Sequence, residues 1–343
     1  MSEIRYNRLK NKWVIISIER SRRPHDYPVS VYEESSDVSK CPFEYGNEDK
    51  TPPEIFAIRP DGSLPNTPGW KVRVVPNKYP ALRIENSNLP ESEGIYDKYG
   101  GFGAHEVIIE TPEHFKHIQD FSIEEYKNMY FTFRERMRAL YQDIRIKYVH
   151  IFKNHGKEAG KSLVHSHSQL IATPIIPTLP DTQINQSRIY FQEKERCLLC
   201  DEIKEEIKSY NRVVYENDLF IAYCPYASLY PFEVRIAPKY HSHDFSMIDE
   251  NQLLKLSEIS QVVIKKLHKA LVNPPFNMIL HTSPPIRDYP AKPLYYNGID
   301  RFYHWFIEIL PRITTLAGFE LGTDIYINPT IPEDAAKFLR EVI

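Results

Sequence analysis

The chain has 343 residues, a formal net charge of -3, 42% hydrophobic and 26% charged residues, an ordinary globular composition with room for one ample core or two domains. That charge excludes nucleic acid as a bulk electrostatic partner and confines any anion site to a local patch. No apolar run approaches the roughly 20 residues of a membrane span, Met1-Ser2-Glu3-Ile4-Arg5 lacks a signal-peptide core, and four cysteines are too few for a disulfide scaffold; a cytoplasmic protein without membrane or nucleic-acid partners is expected.

In chain order, Glu19-Arg20-Ser21-Arg22-Arg23-Pro24 comes first, an arginine cluster that reads either as a solvated surface or as guanidinium forks for phosphate oxygens. Cys41-Pro42-Phe43-Glu44 and the turn Val75-Pro76-Asn77-Lys78-Tyr79-Pro80 follow. The run Glu106-Val107-Ile108-Ile109 predicts a strand leading to His114. Ser122-Ile123-Glu124-Glu125 carries a capping signature for a helix running to about Lys147. Asn154, in Lys153-Asn154-His155-Gly156, reads as a turn residue. Val164-His165-Ser166-His167-Ser168-Gln169-Leu170-Ile171 predicts a strand with residues 165, 167 and 169 on one face.

The later elements repeat that order. Cys197-Leu198-Leu199-Cys200 is a second sulfur hook. Glu233-Val234-Arg235-Ile236 leads to His241 across the same eight positions that separate Glu106 from His114. Asp249-Glu250-Asn251-Gln252 caps a helix to about Leu271, and His304-Trp305-Phe306-Ile307-Glu308-Ile309 is a strand with a histidine. An internal duplication follows, with halves at 1–185 and 186–343.

Each half offers four zinc ligands: Cys41, Glu44, His114 and His165 in the first, Cys197, Cys200, His241 and His304 in the second. Zinc favours such four-coordinate thiolate, imidazole and carboxylate sets, so one or two ions per chain are expected. Taken alone, Cys197-x-x-Cys200 is also compatible with a redox pair, and Glu44 with a surface residue.

A His-x-His pair by itself is compatible with half a metal site or with two polar residues on a solvent-facing strand. The cupin pattern fails, because Ile171 and Ala172 stand where a carboxylate is needed, and the chain lacks the βα run of an amidohydrolase barrel. Aligning His165 with His304 sets His167 opposite Phe306 and Gln169 opposite Glu308. The second copy keeps the ligand and loses the middle histidine, which assigns His167 to chemistry. A neutral imidazole with one nitrogen held by a hydrogen bond attacks phosphorus through the other. Gln169 supplies amide donors to a phosphate oxygen, and Ser162, with Ser166 or Ser168, supplies hydroxyls.

These residues resemble the galactose-1-phosphate uridylyltransferase branch of the histidine-triad superfamily, which includes ADP-glucose phosphorylases. The likeness covers essentially the whole chain. It rests on Arg20-Ser21-Arg22-Arg23-Pro24, Cys41-Pro42-Phe43, Val75 to Pro80, Gly101-Phe102-Gly103-Ala104-His105-Glu106-Val107, His165 to Gln169, and Ala317-Gly318-Phe319-Glu320.

The resemblance implies an α+β fold of two tandem histidine-triad-like halves, the first catalytic and the second degenerate, each an antiparallel half-barrel sheet with a long helix. It implies a nucleotidyl-histidine at His167 and ping-pong transfer of UMP or AMP from a nucleotide-sugar to a hexose 1-phosphate or phosphate. Gln169, Ser162, Arg20 and Arg23 then meet the phosphates, Asn77 and Asn154 the nucleotide, and Phe319 and Glu320 the sugar across a homodimer. Two departures are visible. Val164 and Ser166 stand where uridylyltransferases carry prolines, which is closer to the ADP-glucose phosphorylase type, and Glu44 stands where a second cysteine is common. Dinucleoside polyphosphate cleavage by the same nucleophile, and a zinc-stabilised nucleotide sensor, are the competing readings.

Overall fold

Apolar runs too short for helices, broken by proline and glycine turns, make this chain rich in strands. A computed structural model describes residues 2–17, 37–287 and 296–342. The chain opens with the hairpin β1 (Glu3–Asn7) and β2 (Lys12–Ile16). It continues through β3 (Phe56–Ile58), β4 (Val72–Pro76), the exposed hairpin β5 (Pro90–Glu93) and β6 (Tyr96–Tyr99), and β7 (Ala104–Ile109). Helix α1 (Ile123–Leu140), β8 (Tyr148–His155) and β9 (His167–Thr173) follow, then α2 (Thr178–Lys194) and α3 (Leu198–Ser209). Next come β10 (Val213–Glu216), β11 (Phe220–Tyr223), β12 (Val234–Pro238), α4 (Glu250–Leu271) and β13 (Phe276–His281). The chain finishes with α5 (Ile299–Phe302), β14 (Phe306–Pro311), α6 (Gly318–Thr323), β15 (Tyr326–Asn328) and α7 (Pro332–Glu341).

The class is α+β. Ten strands form one antiparallel sheet in the order β10-β11-β12-β14-β13-β8-β9-β7-β4-β3. Read inward from either edge, β3-β4-β7-β9-β8 and β10-β11-β12-β14-β13 correspond strand for strand. The two sets do not remain separate sheets: β8 and β13 pair directly, from Phe276 opposite His155 to Leu280 opposite Ile151. Unjoined, both would be apolar edges with bare backbone donors and acceptors. A small sheet of β1, β2 and β15 packs Val14 and Ile16 against Leu229, Tyr230 and Leu310.

Both long helices carry the expected capping boxes. Ser122 is paired with Glu125, and Asp249 with Gln252. In α4 the buried positions Leu253, Leu256, Ile259, Val263, Ile264 and Leu267 recur every three or four residues and face the sheet. Helix α1 lies beside it, with the Tyr130 hydroxyl donating to Ser260 Oγ at 2.8 Å. Together they cover one sheet face, burying Ile108, Ile151, Leu170, Ile236 and Ile307. The opposite face of the first half is left to the functional site.

Two boundaries and one equivalence differ from the sequence reading. Helix α1 stops at Leu140 rather than Lys147, because the Asp143 carboxylate accepts from Arg145 N–H and its guanidinium and closes a turn into β8. The histidine strand becomes regular only at His167. Glu106 and Glu233 are not equivalent: Gln169 lies opposite Val107 and Glu308 opposite Arg235, an offset one residue longer, and Glu233 precedes β12 to accept from Leu229 and Tyr230 N–H groups. Among the described residues no helix is long and apolar enough to cross a membrane.

His155 ends β8 buried against Phe276, with its Nε2 2.9 Å from Asn273 Oδ1. Burial, aided by Lys161 and Lys153, pushes its pKa down to about 3. Above about pH 6.5 the ring is neutral folded and unfolded; below that only the unfolded chain takes the proton, so stability falls as pH falls, by up to ~1.4 kcal/mol per unit. His155→Gln is expected to flatten this acid limb in denaturant titrations between about pH 7 and pH 4. An unchanged slope would mean the proton is taken up elsewhere.

Candidate active site

Strand β9 alternates its side chains, and the alternation divides it into two jobs. His167 and Gln169 point to the open face, opposite Ile109 and Val107 of β7. The His167 ring lies edge-on to Phe43, centroids 5.3 Å apart. Its Nδ1 is 2.8 Å from the His165 carbonyl. A carbonyl only accepts, so Nδ1 carries the proton and the Nε2 lone pair is free. Burial pushes the pKa of this imidazole down to about 4, with Lys153 and Lys161 acting in the same direction, and the ring is neutral at physiological pH.

Ser166 and Ser168 face the helices, contrary to the reading that they are hydroxyl donors to the substrate. Both hydroxyls donate to the buried Glu110 carboxylate, at 2.8 and 2.5 Å. Lys153 of β8 lies 2.5 Å from the same carboxylate, and its ammonium also donates to Ser166 Oγ (2.9 Å) and to the His167 carbonyl (3.1 Å). Sequence reasoning missed Glu110 and Lys153. The available signal was a charged residue interrupting each of two apolar strand runs, Val107-Ile108-Ile109-Glu110 and Ile151-Phe152-Lys153.

A cleft of about 210 Å³ brings His167, Gln169, Ser162 and Asn77 together with Phe43, Val75, Val107, Lys50 and Lys78. Larger surface clefts exist, one of about 670 Å³ over Lys71, Glu113 and Lys116, but neither histidine nor cysteine lines it. Asn154 lies two residues beyond Phe152, which pairs with Gln169, and by alternation shares the His167 face; its side-chain Oδ1 accepts from Asn277 Nδ2 at 2.8 Å. Phe319 and Glu320 lie on α6 and do not line the cleft; Glu320 accepts from Ala317 N–H at 3.0 Å, capping its own helix. Arg20 and Arg23 lie outside the described residues.

Gly103 admits β7 to its place beside β9. Its φ is 150°, and a Cβ there would meet the Ala172 carbonyl at 2.2 Å.

Both predicted ligand sets assemble, each with its ligand atoms within 4.8 Å of one another. In the second set Cys200 Sγ is 3.3 Å from His241 Nδ1 and 3.4 Å from His304 Nδ1. The far nitrogens donate to carbonyls, His241 Nε2 to Asp300 and His304 Nε2 to Pro238, so both Nδ1 lone pairs face the thiols. In the first set His165 Nε2 donates to the Thr111 carbonyl at 2.7 Å, Cys41 Sγ is 3.9 Å from His165 Nδ1, and His114 Nδ1 is 2.7 Å from Glu44 Oε2.

The corresponding place in the second half is filled. Phe306 stacks on His281, centroids 4.4 Å apart. Glu308, opposite Gln169 in the alignment, takes Lys10 Nζ at 2.7 Å and lies 3.4 Å from His281 Nε2. Despite burial, Lys10, His281 and Arg235 hold its carboxyl well below the usual range.

The model of the galactose-1-phosphate uridyl transferase N-terminal domain matches residues 1–177, and a domain of unknown function matches residues 102–341. The chain belongs to the galactose-1-phosphate uridylyltransferase family. ADP-glucose phosphorylase of Arabidopsis thaliana is 36% identical over 99% of this chain and 93% of that protein. Galactose-1-phosphate uridylyltransferase of Thermotoga maritima is 27% identical, covering 99% and 98%. A crystal structure of the Arabidopsis ADP-glucose phosphorylase with bound ADP-glucose matches with a TM-score of 0.83 at 34% identity, covering 100% of this chain and 99% of that one. The protein is a nucleotidyltransferase of the hexose-1-phosphate type, as the motifs implied.

Removing Lys153 while leaving Glu110 strands a buried carboxylate. Lys153→Met is therefore expected to lose roughly 3–5 kcal/mol in chemical denaturation, and the pair Lys153→Met with Glu110→Gln to lose less than the single change. A single variant within about 1 kcal/mol of the parent would contradict the assignment.

Proposed function

We propose that the protein moves a nucleoside monophosphate from a nucleotide-sugar to phosphate or a hexose 1-phosphate through a covalent nucleotidyl-His167. The observation that carries this is the neutral His167 ring, its Nδ1–H held by the His165 carbonyl and its Nε2 left as a free lone pair in the cleft. Nε2 attacks the α-phosphorus, the bond to the hexose 1-phosphate oxygen breaks, and that product leaves with the electron pair. An acceptor oxygen then attacks the same phosphorus and the P–N bond breaks, regenerating His167. Gln169 and Ser162 donate to the non-bridging oxygens. Asn77 and Asn154 contact the nucleotide, and Arg20 and Arg23 the phosphates.

Residues 1–185 form the catalytic half and 186–343 the degenerate half of this reading. Phe319 and Glu320, outside the cleft of their own chain, meet the sugar across a homodimer. AMP is the group favoured, because the Arabidopsis ADP-glucose phosphorylase is the more similar of the two relatives over equal coverage of this chain. The cytoplasm is its compartment.

Each ligand set holds one Zn²⁺ in this reading. The 3.3–3.4 Å sulfur–nitrogen separations of the second set match the roughly 3.5 Å expected between ligands on a tetrahedral zinc. When bound, the ion cross-links α3 to the ends of β12 and β14 as a structural centre. His165 would in turn fix, through its backbone carbonyl, the tautomer of His167.

Incubated without acceptor, the enzyme is expected to gain an AMP adduct from ADP-glucose by intact mass, with little from UDP-glucose, and His167→Gly to gain none while remaining folded. An adduct on His167→Gly would sink the mechanism; a UMP adduct alone would reverse the base. Elemental analysis should find one to two zinc equivalents, with chelator lowering Tm. No metal and a chelator-insensitive melt would reject the zinc centres.

A further inference from the structure

His105 belongs to a motif, Gly101 to Val107, that the proposed chemistry leaves without a task. It lies on β7 opposite Ile171, and Val107 lies opposite Gln169, so His105 and Gln169 are diagonal neighbours on the open face. The Ala81 backbone N–H points at His105 Nδ1 at 3.2 Å. That nitrogen must therefore offer its lone pair, and the ring proton of the neutral imidazole sits on Nε2. Nε2 is 2.9 Å from Gln169 Oε1. The other neighbour of Nε2 is Asn77 Nδ2 at 3.2 Å. Asn77 cannot turn its oxygen there without losing the bond that Oδ1 accepts from Tyr79 N–H at 2.9 Å. The Nε2 proton therefore goes to Gln169.

We propose that His105 is a positioning residue that holds the Gln169 carbonyl oxygen and thereby turns the Gln169 NH2 group toward the substrate phosphate. A glutamine amide presents either polarity, and a phosphate oxygen accepts only one. The flipped amide would set its NH2 against the Nε2–H and its carbonyl oxygen against the phosphate, two repulsions in place of two hydrogen bonds. The orientation is thus fixed in sequence from a loop amide, Ala81, through an imidazole to the group that meets the substrate. This inference rests on the reading of Gln169 as a phosphate donor.

The test is a four-enzyme cycle of the parent, His105→Phe, Gln169→Ala and the double variant, with the single-turnover rate of His167 adenylylation by ADP-glucose as readout. Gln169→Ala is expected to slow the step on the order of 10²-fold, the loss typical of one preorganised donor. His105→Phe should slow it about tenfold or more, and should add less than twofold in the Gln169→Ala background. His105→Gln, whose amide can donate to the same oxygen, should recover most of the rate, and this comparison stands even if His105→Phe does not fold. A His105→Phe enzyme at parental rate, losses that multiply in the double variant, or His105→Gln as slow as Gln169→Ala would overturn the proposal. A parent enzyme that forms no adduct would instead overturn the reading of His167, which separates the two failures.

Discussion

The buried pair of Lys153 and Glu110 decides which way the functional strand faces. It sits where the end of β7, β8 and β9 meet, on the side covered by the helices, and a charge pair in that place is tolerable only when its remaining hydrogen bonds are made. Ser166 Oγ, Ser168 Oγ and the His167 carbonyl make them. Both serines must then turn inward, and because a strand alternates, His167 and Gln169 must turn outward. A slip of one residue would drive the imidazole into the core and carry Leu170 to the open face. The presentation of the histidine is thus enforced from behind, by groups that never meet the substrate.

The same sheet shows what duplication kept and what it gave up. Both halves retain a sulfur hook and two histidines, with backbone carbonyls orienting His165 in the first half and both His241 and His304 in the second. In the second half the places of His167 and Gln169 hold other groups. Phe306 stands in the place of His167, and Glu308 replaces the neutral Gln169 amide with a carboxylate that would repel an anion. Lys10, reaching in beside the N-terminal hairpin, neutralises that carboxylate and closes the space. The seam between β8 and β13 joins the two halves into one sheet.

Periodicity and composition made much of this legible beforehand. Alternation in Val164 to Ile171, paired capping boxes and repeated hooks are local signals, and each has a local cause. Cross-strand partnership is not local. Nothing between residues 164 and 171 says that Ser166 and Ser168 answer a glutamate more than fifty residues upstream, so their hydroxyls read as donors to the substrate when they are donors to Glu110. The equal spacing of Glu106–His114 and Glu233–His241 was misleading for the same reason, since only ladder register reveals that the intervening segments differ by one residue. The extent of α1 was overestimated because an Asp143–Arg145 turn ends it while the surrounding residues still favour helix. The His105–Gln169 contact was illegible too, depending on a diagonal across two strands and on an amide in a separate loop.

The inward turn of the serines also bears on how the base is chosen. Serine in place of proline between the histidines resembles the ADP-glucose phosphorylase type, yet the Ser166 hydroxyl answers Glu110 and does not line the cleft. Selection must come from what lines the space. That lining sets Phe43, Val75 and Val107 beside the cations Lys50 and Lys78 and the neutral hydrogen-bonding groups Asn77 and Ser162. At about 210 Å³ the cleft falls below the ~300–1,000 Å³ usual for sites that enclose a whole small-molecule ligand. It is sized for the phosphates and the atoms beside them, and a nucleotide-sugar must extend from it at both ends. One end runs along the His167 face toward Asn154. The groups proposed for the other end, Phe319 and Glu320 across a homodimer, lie outside this lining.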